Sequence, residues 1–327
     1  EKINRFYMSR VNSIYNAADN LILPGLIDIH VHFRDPGLTH KEDFESGSKC
    51  AAASGVTVVG DMPNNDPEIN TFDRLREKQK KVGGKAYVDY FLYIMLSSAS
   101  ELVRCTNIGA RSMPVKVYLH MRSHLKTILS DNLPRNYLYV FHAEHPDYIK
   151  EDSPKDLTEL NEARPPKAEL MGIRIAIKFA EMGYNTHITH VSTKAGATEI
   201  IMAKQRGISI TYDVAPHHLI FFKERSNPRD PLLKVMPPIR KKSDRDFLLW
   251  LLRRGMIDII ATDHAPHATT EKSIFESAEY GIQSLQYFLS LMYSLCKKTH
   301  IDFRSVLKRM SINPARIFRI EKRGWIK

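Results

Sequence analysis

Asp28-Ile29-His30-Val31-His32 puts two imidazoles two residues apart at the end of an apolar run. If the run is a β-strand, successive side chains alternate in direction, so both rings point the same way and can grip one metal ion. Alone, the pair is equally compatible with two histidines in ordinary hydrogen bonds. Three further residues close apolar runs of the same kind: His142 in Phe141-His142-Ala143-Glu144, His190 in His187-Ile188-Thr189-His190, and Asp263 in Thr262-Asp263-His264-Ala265-Pro266-His267. Four imidazoles and a carboxylate are donors for a first-row metal, zinc being the first choice by ligand type. Lys116 is the unusual member. It stands mid-run in Pro114-Val115-Lys116-Val117-Tyr118-Leu119, and a lysine aimed into a core is costly unless paired or chemically changed. The alternative is a strand shifted by one residue, with Lys116 reaching solvent.

The elements that must position these groups are read from hydrophobic pattern. Runs rich in Val, Ile, Tyr and Phe span Leu26 to His30, Val56 to Met62, Tyr87 to Met95, Val115 to Leu119, Tyr137 to His142, Thr186 to Val191, Ile208 to Val214 and Ile257 to Asp263. Helices are predicted over Asp43 to Ser54, Ala168 to Met182 and Lys194 to Arg206, with Gly55, Gly183 and Gly207 at their C-terminal caps. Thr39-His40-Lys41-Glu42 reads as a capping box, and Tyr280 to Lys298 and Asp302 to Met310 as closing helices. Strands alternating with helices along 327 residues predict a closed α/β (β/α)8 barrel, a TIM-like fold that needs about 250 residues. Active sites of such barrels lie at the C-terminal ends of the strands, where the five donors fall.

Composition excludes several classes. With 43% hydrophobic and 26% charged residues, 15 Gly and 17 Pro, the chain is neither collagen-like nor disordered. No apolar run reaches the roughly 18 residues of a membrane span, and Glu1 to Arg10 lacks the apolar core of a signal peptide. Three cysteines, at Cys50, Cys105 and Cys296, support neither a disulfide framework nor a thiolate zinc cluster, so a cytoplasmic location is expected. The net charge of +11 allows nucleic acid, an acidic membrane or an anionic small molecule as partner. The densest basic runs, Arg240-Lys241-Lys242, Arg253-Arg254 and Lys322-Arg323, lack interleaved aromatics and read as solvated surface, so no nucleic-acid or membrane partner is expected.

His30-Val31-His32-Phe33-Arg34-Asp35-Pro36-Gly37, Met62-Pro63-Asn64, Val214-Ala215-Pro216-His217-His218-Leu219 and Asp263-His264-Ala265-Pro266-His267 together resemble the dihydroorotases of the amidohydrolase superfamily. The likeness runs from about Leu23 to Phe318, with the motifs in the family's order. It implies two Zn2+ per chain, bridged by a carboxylated Lys116 and a hydroxide. One zinc takes His30, His32, the Lys116 carbamate and Asp263, and the other the carbamate, His142 and His190. Asp263 also serves as the catalytic proton carrier, and Arg34, Asn64, His267 and Gly281 as substrate-binding residues. The implied reaction is reversible hydrolysis of the cyclic amide of dihydroorotate to N-carbamoyl-aspartate, in pyrimidine synthesis.

Plainer alternatives stay open for these residues. Arg34 could pair with Asp35 or Glu42, Asn64 could only shape the Pro63-Asn64-Asn65 turn, and His267 could cap the next helix. The chain also departs from the family pattern. Asp213 stands where relatives often carry Glu and is a candidate for an additional metal. Arg122 replaces a loop threonine, and Glu276 to Gln283 keeps Gly281 but little else. Many bacterial relatives carry aspartate at the position of Lys116, although the Lys-x-Tyr-Leu match favours the lysine. Residues 23–318 are assigned to the barrel, with 1–22 and 319–327 as fragments of a flanking β-domain. The resemblance implies a homodimer, with aspartate carbamoyltransferase as a candidate partner. The competing readings are allantoinase or dihydropyrimidinase (hydantoinase), a silent scaffold for that carbamoyltransferase, and, last, a nucleic-acid binder.

Overall fold

The computed structural model describes residues 20–107, 113–130, 132–150 and 152–326. The strands are β1 (Leu26–Val31), β2 (Val56–Asp61), β3 (Asp89–Leu92), β4 (Ile94–Met95), β5 (Val115–Tyr118), β6 (Leu138–His142), β7 (Asn185–Ile188), β8 (Ile210–Val214) and β9 (Ile259–Ile260). All neighbouring strands run parallel, in the orders β1-β2-β3 and β4-β5-β6-β7-β8-β9. β3 and β4 are one expected run interrupted at Tyr93, whose hydroxyl donates to the Ile29 carbonyl at 2.8 Å. A parallel bridge between Val31 and His264, with His32 N–H donating to the His264 carbonyl at 2.8 Å, closes the ring. The fold is the (β/α)8 barrel.

The helices are α1 (Phe44–Ala53), α2 (Phe72–Val82), α3 (Ala99–Asn107), α4 (Arg122–Ser130), α5 (Leu157–Ala163), α6 (Pro166–Glu181), α7 (Lys194–Gln205), α8 (Pro216–Ile220), α9 (Lys242–Arg253), α10 (Phe288–Thr299), α11 (Phe303–Arg309) and α12 (Ile312–Ile317). After α1, α6 and α7 the chain turns through Gly55, Gly183 and Gly207 at φ of 79°, 88° and 85°, the left-handed exit read from the sequence. The capping box is displaced from its expected place. Asp43 and Ser46 form it, and Glu42 instead binds the ring of His264 at 2.8 Å.

The first closing helix begins at Phe288 rather than Tyr280, after a short 3-10 turn over Leu285–Tyr287. The segment before it is held in extended form. Ile282 bridges His264 and accepts the Ala265 N–H, and Gly281 has a φ of 156° that no helix admits.

Alternation along the strands separates two cores. Val115 and Val117, Tyr139 and Phe141, and Tyr212 and Val214 join the large core under the helices. Ile27, Ile29, Val58, Val140 and Ile259 form a smaller core with Ala315 and Phe318. Lys116, His142 and Asp213 alternate with the outer set and so face the barrel axis. Between Asp28 and Val31, β1 carries one residue more than the facing stretch of β2, since Asp28 pairs with Val59 but Val31 with Asp61. This bulge lets Ile27 and Ile29 fill the lower barrel while Val31 and Phe33 pack outward, leaving His30 and His32 for the top. Phe33 meets Phe44 edge-on at 5.2 Å, and its ring lies so close to α1 that a Cβ on Gly47 would come within 2.5 Å of it. Burying an aromatic of this size is worth roughly 1.5–3 kcal/mol.

Not every basic run is solvated. Arg240 is buried at 3% exposure, donating to Ser192 Oγ at 3.0 Å and to the Arg164 carbonyl at 2.6 Å. Lys241 and Lys242 are exposed as expected. The three cysteines are free thiols.

Candidate metal centre

His30 and His32 leave the end of β1 and meet Asp263 just beyond β9. Both Nε2 atoms lie 3.2 Å from the same oxygen, Asp263 Oδ1. That spacing is close to the edge of a tetrahedron with metal bonds of about 2.0–2.1 Å. Among the described residues this trio is the one group of three or more metal-type side chains whose donor atoms all fall within 4.8 Å of one another. His32 Nδ1 faces Asn64 Oδ1 at 2.6 Å, so with a cation at Nε2 the ring proton rests on Nδ1, whereas without one Nε2 can donate to Asp263 instead. Burial holds both imidazoles below their ordinary range, with Lys116 reinforcing the effect on His30. Burial pushes Asp263 upward, but the His32 hydrogen bond and nearby positive groups outweigh it and keep the carboxyl low. Neutral rings beside an ionised carboxylate are the protonation states a cation requires.

Lys116 lies mid-strand on β5, in register with Met95 and Val140, and is fully buried. The shifted-strand alternative is therefore absent. Its Nζ donates to Thr189 Oγ1 at 3.2 Å, and burial lowers the amine to about 8. His142 and His190 face each other, Nδ1 to Nε2, at 3.1 Å. His142 Nε2 is tied to Glu144 at 2.8 Å, and Arg164 braces the same carboxylate oxygen at 2.7 Å. Burial opposes ionisation of Glu144, yet Arg164 and His142 hold it well below the usual range. The imidazoles of His142 and His190 are held low by burial, so they too are neutral.

These groups line one cavity of roughly 440 Å³ together with Arg34, Asn64, His267 and Gly281. Arg34 pairs with neither Asp35 nor Glu42. Asp35 binds Lys85 at 2.9 Å and Glu42 binds His264, while Arg34 Nε is buried without a protein partner. Arg34 Nη2 lies 3.2 Å from His267 Nε2, which also lies 3.0 Å from the Tyr280 carbonyl. Lys41 Nζ stands 3.2 Å from His267 Nδ1. Burial, then Arg34, lowers His267 to about 3. His267 does not cap the next helix, where Ala268 stands at the N-cap. Gly281 has no room for a side chain, since a Cβ would fall 2.4 Å from the Ala265 carbonyl oxygen. Asp213 has both carboxylate oxygens engaged, one by His187 Nε2 at 3.0 Å and one by the His190 N–H at 2.7 Å. Arg122 stays outside the cavity and pairs with Asp147 at 2.8 Å on the surface.

The cavity residues that sequence reasoning overlooked include Lys41, Tyr118 and His120. The last two are the informative ones. Both continue the period-two series that begins at Lys116, which was the available signal. The Tyr118 hydroxyl and His120 Nδ1 are buried without hydrogen-bond partners, and burial lowers His120 to about 2. His217 and His218 were quoted only as a motif. They are buried, with all four ring nitrogens unpartnered.

The residues present fit a divalent first-row cation. The donor set is nitrogen and carboxylate oxygen, its rings are neutral, and the buried Nδ1 atoms of His30 and His190 have no protein partner.

Residues 21–327 match the model of the amidohydrolase family. The chain is 34% identical to a dihydroorotase of Aquifex aeolicus, across 98% of this chain and 79% of that protein. It is 35% identical to a dihydroorotase of Carboxydothermus hydrogenoformans, across 94% and 74%, and 35% identical to one of Pyrococcus abyssi, across 99% and 76%. Among solved structures it resembles L-hydantoinase from Arthrobacter aurescens, with a TM-score of 0.83 at 24% identity over 93% of this chain and 73% of that one. A D-hydantoinase from a Thermus species superposes with a TM-score of 0.77 at 22% identity, over 93% and 73%. At such identities the two structures speak for the fold alone. No described helix is long and apolar enough to cross a membrane.

Proposed function

The chain belongs to the amidohydrolase family, in its dihydroorotase branch, and on that premise we propose that it hydrolyses the cyclic amide of dihydroorotate reversibly to N-carbamoyl-aspartate, a step of pyrimidine synthesis. The observation that carries the reading is the meeting of a metal-type trio, His30, His32 and Asp263, with the buried guanidinium of Arg34 in one cavity. The substrate is a small molecule with a carboxylate that related neutral rings lack, and a guanidinium fork binds a carboxylate at two points.

Zinc is the proposed metal. His30, His32 and Asp263 would hold one ion, His142 and His190 a second, and a carboxylated Lys116 would serve both. Asp213 is left out of this set because its oxygens are already engaged. Bound metal would make water a better nucleophile near neutrality and polarise the amide carbonyl. Lys116 is suited to carboxylation, because a buried amine lowered to about 8 is partly neutral near physiological pH and only the neutral amine attacks carbon dioxide.

The chain's own groups supply the remainder. Arg34 anchors the substrate carboxylate, with neutral His267 beside it and Lys41 behind. Asn64 fixes the His32 ring by accepting the Nδ1 proton. Asp263 starts ionised, so its carboxylate accepts the proton of the attacking water; as the ring C–N bond breaks, it returns that proton to the departing nitrogen. Tyr118 and His120 form the wall beside His142, with the His120 ring 4.8 Å from it.

The test is turnover of dihydroorotate against hydantoin, dihydrouracil and allantoin by zinc-loaded protein. Preference for dihydroorotate supports the proposal; turnover of the neutral rings without it overturns the assignment.

A further inference from the structure

Three site residues other than glycine have left-handed backbone: Arg34 at φ 62°, His190 at 40° and Asp263 at 51°. Side chains with a Cβ rarely take this conformation, and it persists only where surroundings over-determine it. Glycine would relieve the strain but would remove the guanidinium, imidazole or carboxylate that each position supplies. Each strained residue falls just beyond a strand end, where a backbone N–H can no longer rely on a ladder carbonyl.

At all three places a fully buried aspartate accepts such an N–H. Asp61 Oδ1 accepts the N–H of Phe33, next to Arg34, at 2.8 Å. Asp213 Oδ1 accepts the N–H of His190 itself at 2.7 Å. Asp28 Oδ1 accepts the N–H of Thr262, next to Asp263, at 3.0 Å, and Asp28 Oδ2 accepts the Thr262 hydroxyl. The placement repeats around the ring. Asp61 is on β2 and holds the end of β1; Asp213 is on β8 and holds the end of β7; Asp28 is on β1 and holds the end of β9, across the closing bridge. Each carboxylate thus sits one strand further around the ring than the strand end it restrains. The second oxygens are steadied too, by Lys78 at Asp61 and by His187 at Asp213.

We propose that Asp61, Asp213 and Asp28 are positioning residues: next-strand carboxylates that lock the left-handed exits on which the aim of Arg34, His190 and Asp263 depends. The proposal rests on the functional reading above for what those three side chains do. It follows that the three locks govern different steps. Asp61 acts through substrate binding, and Asp213 through the metal ligand His190. Asp28 acts through Asp263, which is both metal ligand and proton carrier, and it also accepts the His30 N–H at 3.2 Å.

The experiment compares Asp61→Ala, Asp61→Asn, Asp213→Ala and Asp213→Asn with the parent. It reads kcat and KM for dihydroorotate, zinc affinity by chelator competition, and the visible spectrum of the cobalt-substituted protein. Asp213→Ala should lose about 10- to 100-fold in zinc affinity and kcat and alter the cobalt spectrum, with KM within about threefold. Asp61→Ala should raise KM at least about tenfold, with kcat within about threefold and an unchanged cobalt spectrum. Each asparagine variant keeps an amide oxygen for the same N–H and should recover most of the loss. The idea is overturned if the two alanine variants change kcat and KM alike, if asparagine is no better than alanine, or if alanine matches the parent. Should one of these alanine variants fail to fold, Asp28→Ala against Asp28→Asn tests the same arrangement at the third position. Alanine should lower kcat about tenfold at constant KM, with recovery by asparagine, which keeps an oxygen for the Thr262 N–H, and alanine equal to the parent refutes the lock. A parent that binds zinc but turns over no dihydroorotate sinks the functional reading, while the zinc and cobalt measurements still decide the Asp213 lock.

Discussion

Nδ1 of His142 and Nε2 of His190 point at each other across 3.1 Å, although both rings are neutral and buried. His142 spends its Nε2 proton on Glu144, so the atom it turns to His190 is a lone pair. If His190 answers with an N–H, its own Nδ1 is a buried acceptor without a partner. If it answers with a lone pair, two lone pairs face each other at a spacing that a divalent cation would bridge. A shared divalent ion takes up both lone pairs. Glu144→Gln, which weakens the brace on His142, should therefore reduce bound zinc from about two per chain towards one, at the second position, and lower activity about 10- to 100-fold. Elemental analysis after dialysis checks the stoichiometry, and two zinc ions retained at full activity would contradict it.

Lys116 gives a test that depends on carbon dioxide. Metal-stripped protein reloaded with zinc in carbon-dioxide-depleted buffer should regain activity slowly and incompletely, and added bicarbonate should accelerate recovery. Lys116→Ala should show no bicarbonate effect and lose nearly all turnover. Recovery of the parent at the same rate with and without bicarbonate would remove the carbamate from the proposed site.

Arg34 Nε is buried and lacks a protein partner, which leaves part of the guanidinium for an anionic ligand. Arg34→Lys keeps the charge but loses the two-point fork. The loss of about 1.5–3 kcal/mol of charge-assisted hydrogen bonding corresponds to a KM for dihydroorotate raised about 10- to 100-fold. Any slow turnover of a neutral ring such as dihydrouracil should change little, so the ratio of the two substrates is the measurement. Equal losses on both would mean that Arg34 supports the cavity rather than the carboxylate.

The strand runs were legible because buried barrel strands are near-continuous apolar segments, and His142 and Asp263 stood out as polar residues ending them. Lys116 was legible for the same reason. Tyr118 ends the strand and was overlooked although the alternation that aims Lys116 inward reaches it, whereas His120 lies past the strand end in a turn, where a period-two rule has no obvious authority. The extra residue in β1 is likewise invisible in one sequence, since a bulge is a relation between two strands. Tyr280 to Tyr287 has helical composition, but tertiary pairing with His264 overrides it. Arg240 was read by composition as surface, whereas its role is set by the Ser192 and Arg164 groups that only the fold brings to it.

Protonation supplies the last prediction. Nine of the 14 histidines, His30, His32, His120, His124, His142, His190, His217, His218 and His267, have imidazoles held below their ordinary range, burial being the largest cause for each. The folded values reach about 4 for His124 and His217 and about 3 for His267, against 6.5 for the unfolded rings. Because folding depresses these values, the unfolded chain takes up more protons as pH falls below 6.5. The stability is therefore fully present above that pH and is lost progressively on acidification towards 4. Each ring contributes at most about 1.4 kcal/mol per pH unit, so several acting together give a steep dependence. Metal-stripped protein should accordingly show a urea midpoint that is level between pH 7 and 8 and falls sharply between pH 6.5 and 5. Zinc should raise the midpoint at neutral pH and lose that effect on acidification, because protons and metal compete for the same nitrogens. A midpoint independent of pH across that window, with and without zinc, would mean that the buried rings are protonated or solvated in the folded protein.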